Sequence, residues 1–129
     1  MGDVLDGPRE MVVVFRSRLR PDVDGTRYAQ HAAAVLEAAR AMPGFLELKD
    51  FVAQDGERLA LVRWRSAEEL AAWRDHAGHR LAQAAGRERY YSWYHLQVAP
   101  LERGSSFALT DAHETQDPEP RAGHGEPTA

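Results

Sequence analysis

Apolar and polar residues alternate with two different periods along the chain, and the changes of period predict its elements. In MVVVFRSRLR (11–20) the odd positions form one face of a strand and the even positions the other. In DGTRYAQHAAAVLEAARAM (24–42) the apolar residues recur at helical spacing instead. Asp24 is placed to cap this helix, and Pro43 and Gly44 are placed to end it. The chain is therefore predicted to begin with a strand and a helix.

The next stretch, FLELKDFVAQDGERLALVRWR (45–65), predicts a β-hairpin. Its two β-rich runs flank an Asp-Gly pair, which is a strong turn signal between strands. Ser66 then forms a capping box with Glu69 and begins a helix. A second helical piece follows a break between Asp75 and Gly78 and ends at Gly86.

RYYSWYHLQVAPL (89–101) predicts the last strand. The order β-α-β-β-α(α)-β is that of an α+β, ferredoxin-like fold with an antiparallel four-stranded sheet. This domain is expected to span residues 10–101, after a flexible N-terminus at 1–9. Residues 102–129 are acidic and rich in Pro and Gly, which predicts a disordered tail. Within that tail, residues 107–109 (Phe-Ala-Leu) form an apolar stretch that could dock on the domain.

Both faces of the predicted sheet carry apolar residues, although one subunit's helices can cover only one face. We expect a second copy of the chain to cover the other face, which gives a homodimer. The uncovered face is expected to include two or more of the residues Val12, Val14, Ala60, Val62, Trp64, Tyr91 and Trp93. In the last strand, alternation puts Tyr91 and Trp93 on one face and Tyr90 and Tyr94 on the other. Which of these two faces lines a pocket is left open.

Charge and composition exclude several classes of function. The chain has 16 Lys and Arg against 20 Asp and Glu, a net charge of −4. The residues after 101 contribute six acids and two arginines, so the first 101 residues are neutral overall, without the basic stripe of a nucleic-acid-binding protein. No apolar run reaches the ~18 residues of a membrane span, and the N-terminus has no hydrophobic signal region. The absence of cysteine excludes disulfide and thiolate chemistry and favours a cytoplasmic location.

Three stretches resemble the antibiotic biosynthesis monooxygenase (ABM) family over roughly residues 10–101. They are VVVFRSRLRP, MPGFLELKDFVAQDGERLALVRWRSAEELAAWRDHAGH and GRERYYSWYHLQVAPL. The resemblance implies a dimeric α/β barrel in which each subunit's pocket lies between its helices and its sheet. The family includes cofactor-independent oxygenases of polyketide quinols, quinol monooxygenases and haem-degrading enzymes. Likeness of fold does not select among these activities.

The resemblance also implies candidate site residues. Trp73 stands where the family carries a pocket tryptophan, although periodicity alone would place it in the core. His79 stands where oxygenase relatives have a polar pocket residue, and a neutral imidazole could accept a proton from a phenol. With Gln83 these residues form the candidate catalytic set. The candidate substrate-binding residues are His76, Ser17, Trp93 and Tyr94.

The histidines admit further interpretations. His76 and His79 are three residues apart with only Asp75 nearby, so no metal site is expected, and one of the two is expected to be a cap or a surface group. Haem-degrading relatives place a proximal histidine ten residues after the pocket tryptophan and an asparagine on the first strand. Gln83 and Ser17 occupy those positions here, which argues against that chemistry, while haem held by His79 or His76 remains an alternative.

The favoured function is that of a cofactor-independent monooxygenase acting on an aromatic phenol, quinol or anthrone. A deprotonated phenol can itself donate an electron to O₂, so the protein needs only a base, hydrogen bonds to oxygen atoms and a dry pocket. Besides the haem alternative, the chain could be a non-catalytic dimer that binds a small molecule or assists a biosynthetic enzyme, with the acidic tail facing its partner.

Overall fold

The computed structural model describes residues 9–109, so residues 1–8 and 110–129, with most of the predicted flexible segments, lie outside the described residues. Within 9–109 the order of elements confirms the predicted ferredoxin-like α+β fold. None of the helices in this part of the chain is long and apolar enough to cross a membrane. The elements are β1 Met11–Leu19, α1 Gly25–Arg40, β2 Phe45–Val52, β3 Arg58–Trp64, α2 Ala67–Asp75, α3 Ala77–Ala85, a π-helical turn Gly86–Tyr90 and β4 Tyr91–Pro100.

The strands of the described residues form one antiparallel sheet in the order β2-β3-β1-β4. β1 lies in the middle, where Val13 pairs with Val62 of β3 and with Val98 of β4. Residues paired in this way project from the same face of a sheet. The odd positions of β1 and the even positions of β3 therefore share one face, and α1 and α2 pack on that face.

Side-chain caps fix where the helices begin. The Asp24 carboxylate accepts a hydrogen bond from the amide of Arg27 at 3.1 Å, and the Ser66 hydroxyl accepts one from the amide of Glu69 at 3.1 Å. Both caps are those predicted, and each satisfies an amide that the first helical turn leaves without a partner. At the break between α2 and α3, Nδ1 of the exposed His76 accepts a hydrogen bond from the amide of Gly78 at 2.9 Å. His76 is thus the capping member of the histidine pair.

The hydrophobic core lies where β1 begins and β3 ends. Trp64, the last residue of β3, is 1% exposed. Its ring lies 5.5 Å from that of Phe45, edge to face, and 6.0 Å from that of Trp73 in α2, nearly parallel. The buried cluster consists of Val13, Ala39, Trp64, Leu70 and Trp73.

The structure corrects the expected membership of the uncovered face. Trp64 and Val62 belong to the core, and Ala60 shares their face of β3 because it pairs with Phe15. Assigning these three residues to the uncovered face was wrong, since alternation separates the two faces of β3 without showing which is inside. The pairing register of β3 with β1 shows which face of β3 is inside. The same register leaves Val12 and Val14 on the uncovered face, as predicted.

A β-bulge near the start of β4 corrects a second face assignment. Arg18 and Leu19 of β1 pair with Trp93 and Tyr91, which leaves Ser92 as the extra residue. Because of this residue Tyr91 moves to the helix-covered face, while Trp93 stays on the uncovered face. The prediction that Tyr91 shares a face with Trp93 was therefore wrong.

After β4 the described chain has no regular structure. The amide of Leu101 donates a hydrogen bond to the carbonyl of Glu10 at 2.8 Å, which holds the end of the strand. Phe107 and Leu109 are 87% and 83% exposed, so the apolar stretch of the tail does not dock on its own domain.

Candidate functional site

Aromatic side chains from two strands and one helix meet at the end of the sheet away from the tryptophan core. Tyr28 of α1 has its hydroxyl 3.3 Å from that of Tyr91 in β4, and their ring centroids are 6.0 Å apart. Phe15 of β1 contacts Tyr91 and Tyr94 with ring-centroid distances of 5.4 and 5.2 Å. We call Phe15, Tyr28, Tyr91 and Tyr94 the tyrosine cluster.

A cation and a buried hydroxyl lie beside the tyrosine cluster. The guanidinium of Arg58, the first residue of β3, is 5.8 Å from the ring centroid of Tyr28. Arg58 pairs with Ser17, and Ser17 pairs on its other side with Tyr94. Ser17 is only 2% exposed. The structure thus brings together Ser17 and Tyr94, two of the predicted substrate-binding residues, and adds Arg58 to them.

Tyr91 is a proton donor in this environment. Burial raises the pKa of its hydroxyl, and the neighbouring Tyr28 raises it further. Loss of the proton would leave a phenolate poorly solvated, so the neutral form is favoured. At neutral pH the Tyr91 hydroxyl therefore carries a proton that can be donated to a ligand oxygen.

The predicted catalytic residues lie around Trp73. Trp73 is 7% exposed and belongs to the core, which is what periodicity alone indicated. Its ring nonetheless contacts both histidines: His76 stacks on it at 5.6 Å, and His79 meets it edge to face at 5.1 Å. Gln83 is half-buried in α3, one helical turn after His79, so that both project from the same side of that helix.

His79 differs from His76 in the burial and hydrogen bonding of its ring nitrogen Nδ1. Nδ1 of His79 is buried and makes no hydrogen bond of normal geometry within residues 9–109, although the backbone of Arg74 lies near enough to the ring to favour its protonated form. Burial also lowers the pKa of His79, so its imidazole is neutral at pH 7. Buried polar atoms in proteins almost always have a partner, so an unpartnered nitrogen is one that a ligand can satisfy. His76, by contrast, is exposed and its Nδ1 is occupied by the cap.

Trp93 does not join the other predicted substrate-binding residues. It lies on the uncovered face of the sheet, where its ring is 5.2 Å from that of His95. As for metals, the described residues contain no group of three His, Asp or Glu side chains that could hold an ion. For the haem alternative, His79 offers Nδ1, and His76 offers only the nitrogen that does not cap α3.

Sequence reasoning missed Tyr28 and Arg58 as site residues and counted Tyr91 among the candidates for the dimer interface. Tyr28 lies in the stretch 24–42, whose apolar residues recur at helical spacing, and this spacing predicts a packed helix face and no site. Arg58 follows the hairpin turn, where a charged residue is ordinarily solvated. The register of β3 with β1 brings Arg58 beside Ser17. The signal that could have found it is the even spacing from Trp64 back to Arg58, which puts both residues on one face.

Two curated proteins are similar to this chain in sequence. The uncharacterized protein YqjZ of Bacillus subtilis is 30% identical over 100 residues, which cover 78% of this chain and 86% of YqjZ. The jasmonate monooxygenase ABM of Pyricularia oryzae is 32% identical over 91 residues, which cover 69% of this chain. The match covers 42% of that longer protein.

The solved structures and the family comparison agree with these similarities. A variant of SnoaB, a cofactor-independent oxygenase from Streptomyces nogalater, superposes with a TM-score of 0.64 at 13% identity over 74% of this chain and 96% of SnoaB. At that identity the likeness shows the fold. The sequence model of the family Antibiotic biosynthesis monooxygenase matches residues 11–85, more than half of the chain. The chain therefore belongs to the antibiotic biosynthesis monooxygenase family.

Proposed function

We propose that the chain is a cofactor-independent monooxygenase that acts on an electron-rich aromatic compound such as a phenol, quinol or anthrone. Family membership supports an oxygenase, and SnoaB, which shares the fold, works without a cofactor. The observation that carries the proposal is the buried, unpartnered Nδ1 of His79 beside Trp73. A neutral imidazole with a buried nitrogen that lacks a partner is suited to removing a proton from a weakly acidic substrate.

The chemistry then needs no group beyond the protein and O₂. His79 takes a proton from the substrate, and the resulting anion is electron-rich enough to donate electrons to O₂. In the oxidation of an anthrone, one oxygen atom of O₂ becomes bonded to the ring carbon and the other leaves as water. The protein's contribution is to hold the anion, exclude water and keep the base neutral before each turnover.

The same proposal includes a homodimer formed through the uncovered face of the sheet. The apolar residues of that face include Val12, Val14, Leu61 and Trp93, and no helix of the described chain covers them. Ion pairs border it, among them that of Arg63 with Glu10 and Glu47 at 2.6 and 2.7 Å. An apolar centre with a charged border is typical of a protein interface. A cytoplasmic location, suggested by the absence of cysteine, is likewise proposed.

Replacing His79 by glutamine is expected to lower kcat for O₂ uptake about 100-fold, because general-base catalysis contributes roughly that factor. O₂ consumption by chelator-treated protein, measured with a panel of quinols and anthrones, provides the test. The matched control is His76→Asn, since asparagine also caps helices and should leave the rate within about twofold. If the metal-free wild type consumes no O₂ above background with any member of the panel, the proposal is wrong. A Soret shift with haemin that His79→Gln abolishes would favour the haem alternative instead.

The pH profile supplies an independent prediction about His79. Because burial lowers the pKa of His79 and the base must be neutral, kcat/KM should be constant around neutral pH. It should fall only as the pH drops below the ordinary histidine value of about 6.5. The same shift makes protonation of His79 unfavourable in the folded state, so stability should also decrease as the pH falls through that range. A kinetic midpoint above about 6.5 would show that His79 is not the base.

A further inference from the structure

We propose that residues 102–109 of each chain form an arm that docks, as an added β-strand, along the edge strand β4 of the partner subunit. This inference rests on the homodimer of the proposed function and adds to it a second contact, outside the interface between the two sheets. The arm follows β4 directly, and its large apolar residues are Phe107 and Leu109.

On the helix-covered face, β4 carries two apolar residues that the helices leave open. Leu96 pairs with Phe15 of β1. Val98 pairs with Val13, so both residues project from the face that carries the core. Each is nevertheless 42% exposed, and neither belongs to the buried cluster. We call Leu96 and Val98 the β4 strip.

The backbone of β4 is open as well. β4 is the last strand of the described sheet, so one row of its amides and carbonyls has no strand beside it in this part of the chain. A long edge strand with exposed apolar side chains is a template for pairing, and native proteins ordinarily cover such an edge. Addition of an extended segment satisfies the backbone groups and covers the side chains together.

The arm matches the β4 strip in chemistry and in spacing. Phe107 and Leu109 are 87% and 83% exposed in their own chain. Because they are two residues apart, they project to one side of an extended segment about 7 Å from each other, and the two residues of the strip have the same spacing. Among the exposed large apolar residues of 9–109, these are the only two pairs with that spacing. An arm beside β4 therefore brings both of its apolar side chains against the strip.

The partner's arm is the occupant because the chain's own arm does not cover its own strip. The amide of Leu101 donates to the carbonyl of Glu10, which fixes where the arm begins, and residues 101–109 have no regular structure. A segment and a strip that match but do not meet within one chain can meet between two copies. A two-fold axis then forms both contacts at once, each arm on the other subunit's strip.

The arm is long enough to reach the partner's far edge. Eight residues separate Leu101 from Leu109, and an extended chain of that length spans about 26 Å. Sheets that pack face to face lie about 10 Å apart, so the arm can cross this distance and still run beside β4 of the second sheet. Residues 103–106 (Arg-Gly-Ser-Ser) are polar and contain Gly and Ser, a composition that lets the crossing segment bend.

The docked arm lies beside the candidate site. Leu96 pairs with Phe15, and Tyr94 precedes Leu96 by two residues on the same face. Phe15 and Tyr94 both belong to the tyrosine cluster. An arm along β4 therefore reduces the access of water to that cluster, so that each subunit completes the surroundings of its partner's site.

Disulfide trapping tests the arm without interference, because the chain has no cysteine of its own. A Phe107→Cys chain is coexpressed with a longer, tagged Leu96→Cys chain, and the purified protein is treated with oxidised glutathione. We expect a disulfide that joins one chain of each kind, since paired residues of neighbouring strands have Cα atoms about 4.5–5.5 Å apart, within reach of a disulfide. Val98→Cys serves as the second position if the register is shifted by two residues.

The matched control for the disulfide is Leu81→Cys, because Leu81 is 72% exposed on α3 but is not part of the strip. Its disulfide with Phe107→Cys should form at least about tenfold more slowly, since a docked thiol has an effective concentration in the millimolar range. As a second readout, Phe107→Ala should raise the Kd of the homodimer about 100-fold, a factor of about ten for each arm that loses its aromatic anchor. Ser106→Ala, a change in the same segment, should leave this Kd unchanged.

Three results would overturn the inference. The first is equal rates of disulfide formation for Leu81→Cys and both strip positions. The second is a disulfide within a single chain of the double variant Leu96→Cys/Phe107→Cys, which would show that the arm covers its own strip. The third is an unchanged Kd for Phe107→Ala. If any of these is found while the wild type sediments as a dimer, the arm is rejected and the homodimer stands, whereas a monomeric wild type rejects the homodimer itself.

Discussion

Replacing Trp64 by alanine is expected to lower the free energy of unfolding by about 3–5 kcal/mol, the usual cost of removing a large aromatic from a core. Trp64 is 1% exposed and packs between Phe45 and Trp73, so the variant leaves a cavity lined by rigid rings. Domains of this size have a total stability of about 5–15 kcal/mol. The variant should therefore be close to unfolding at physiological temperature. Urea denaturation followed by circular dichroism measures the loss without relying on the tryptophan that is removed.

Trp93→Ala is the matched control, because it removes the same side chain from the uncovered face. A loss that arises in the core should not depend on protein concentration, whereas a loss that arises at a subunit interface should. We therefore expect the loss of stability relative to the wild type to depend on protein concentration only for Trp93→Ala. If Trp64→Ala costs less than about 1 kcal/mol, the core has been placed at the wrong end of the sheet.

Trp93→Ala is also expected to raise the Kd of the homodimer by two to three orders of magnitude. Each two-fold interface contains the residue twice, and a buried tryptophan contributes about 2 kcal/mol or more to binding where it is central. Tenfold in Kd corresponds to about 1.4 kcal/mol. Sedimentation at low micromolar concentration should show the wild type at twice the chain mass of 14.4 kDa and the variant largely at the chain mass.

An exposed apolar residue on the other side of the molecule provides the control for the dimer. Leu81 of α3 is 72% exposed, and Leu81→Ala should leave the sedimenting mass unchanged. A charge introduced by Val14→Asp should dissociate the dimer at least as strongly as Trp93→Ala, because a buried carboxylate without a partner is costly. A folded, monomeric wild type at these concentrations would contradict the proposed interface.

Local signals in the sequence predicted most of the elements and their boundaries. Asp24 and Ser66 cap α1 and α2 as expected, because capping depends on residues only three positions away. The hairpin turn was also predictable, and Gly56 in it has φ = +92°, a conformation that favours glycine. The π-helical turn Gly86–Tyr90 was missed, since the residues there had been read as the end of α3 and the start of β4.

The faces of the strands could not be predicted as well, because they depend on pairing between distant segments. The bulge at Ser92 puts Tyr91 on the opposite face of the sheet from the one that strict alternation predicts. No residue type in that strand indicates a bulge. Alternation therefore groups Tyr91 with Trp93 among the candidates for the dimer interface, although its hydroxyl contacts that of Tyr28. The candidate site shows the same limit. His79 and Trp73 lie six residues apart and were found by resemblance, whereas Arg58 reaches the tyrosine cluster only through the register of the sheet.

Mass spectrometry of the product formed under isotopically heavy O₂ tests most directly the claim that the protein inserts oxygen without a cofactor. Chelator-treated, haem-free wild type should convert anthrone to a quinone that contains one heavy oxygen atom, at a rate well above the spontaneous reaction. His79→Gln should form this product about 100-fold more slowly than the wild type does. A product without heavy oxygen, or a rate that appears only after haem or a metal ion is added, would contradict the account.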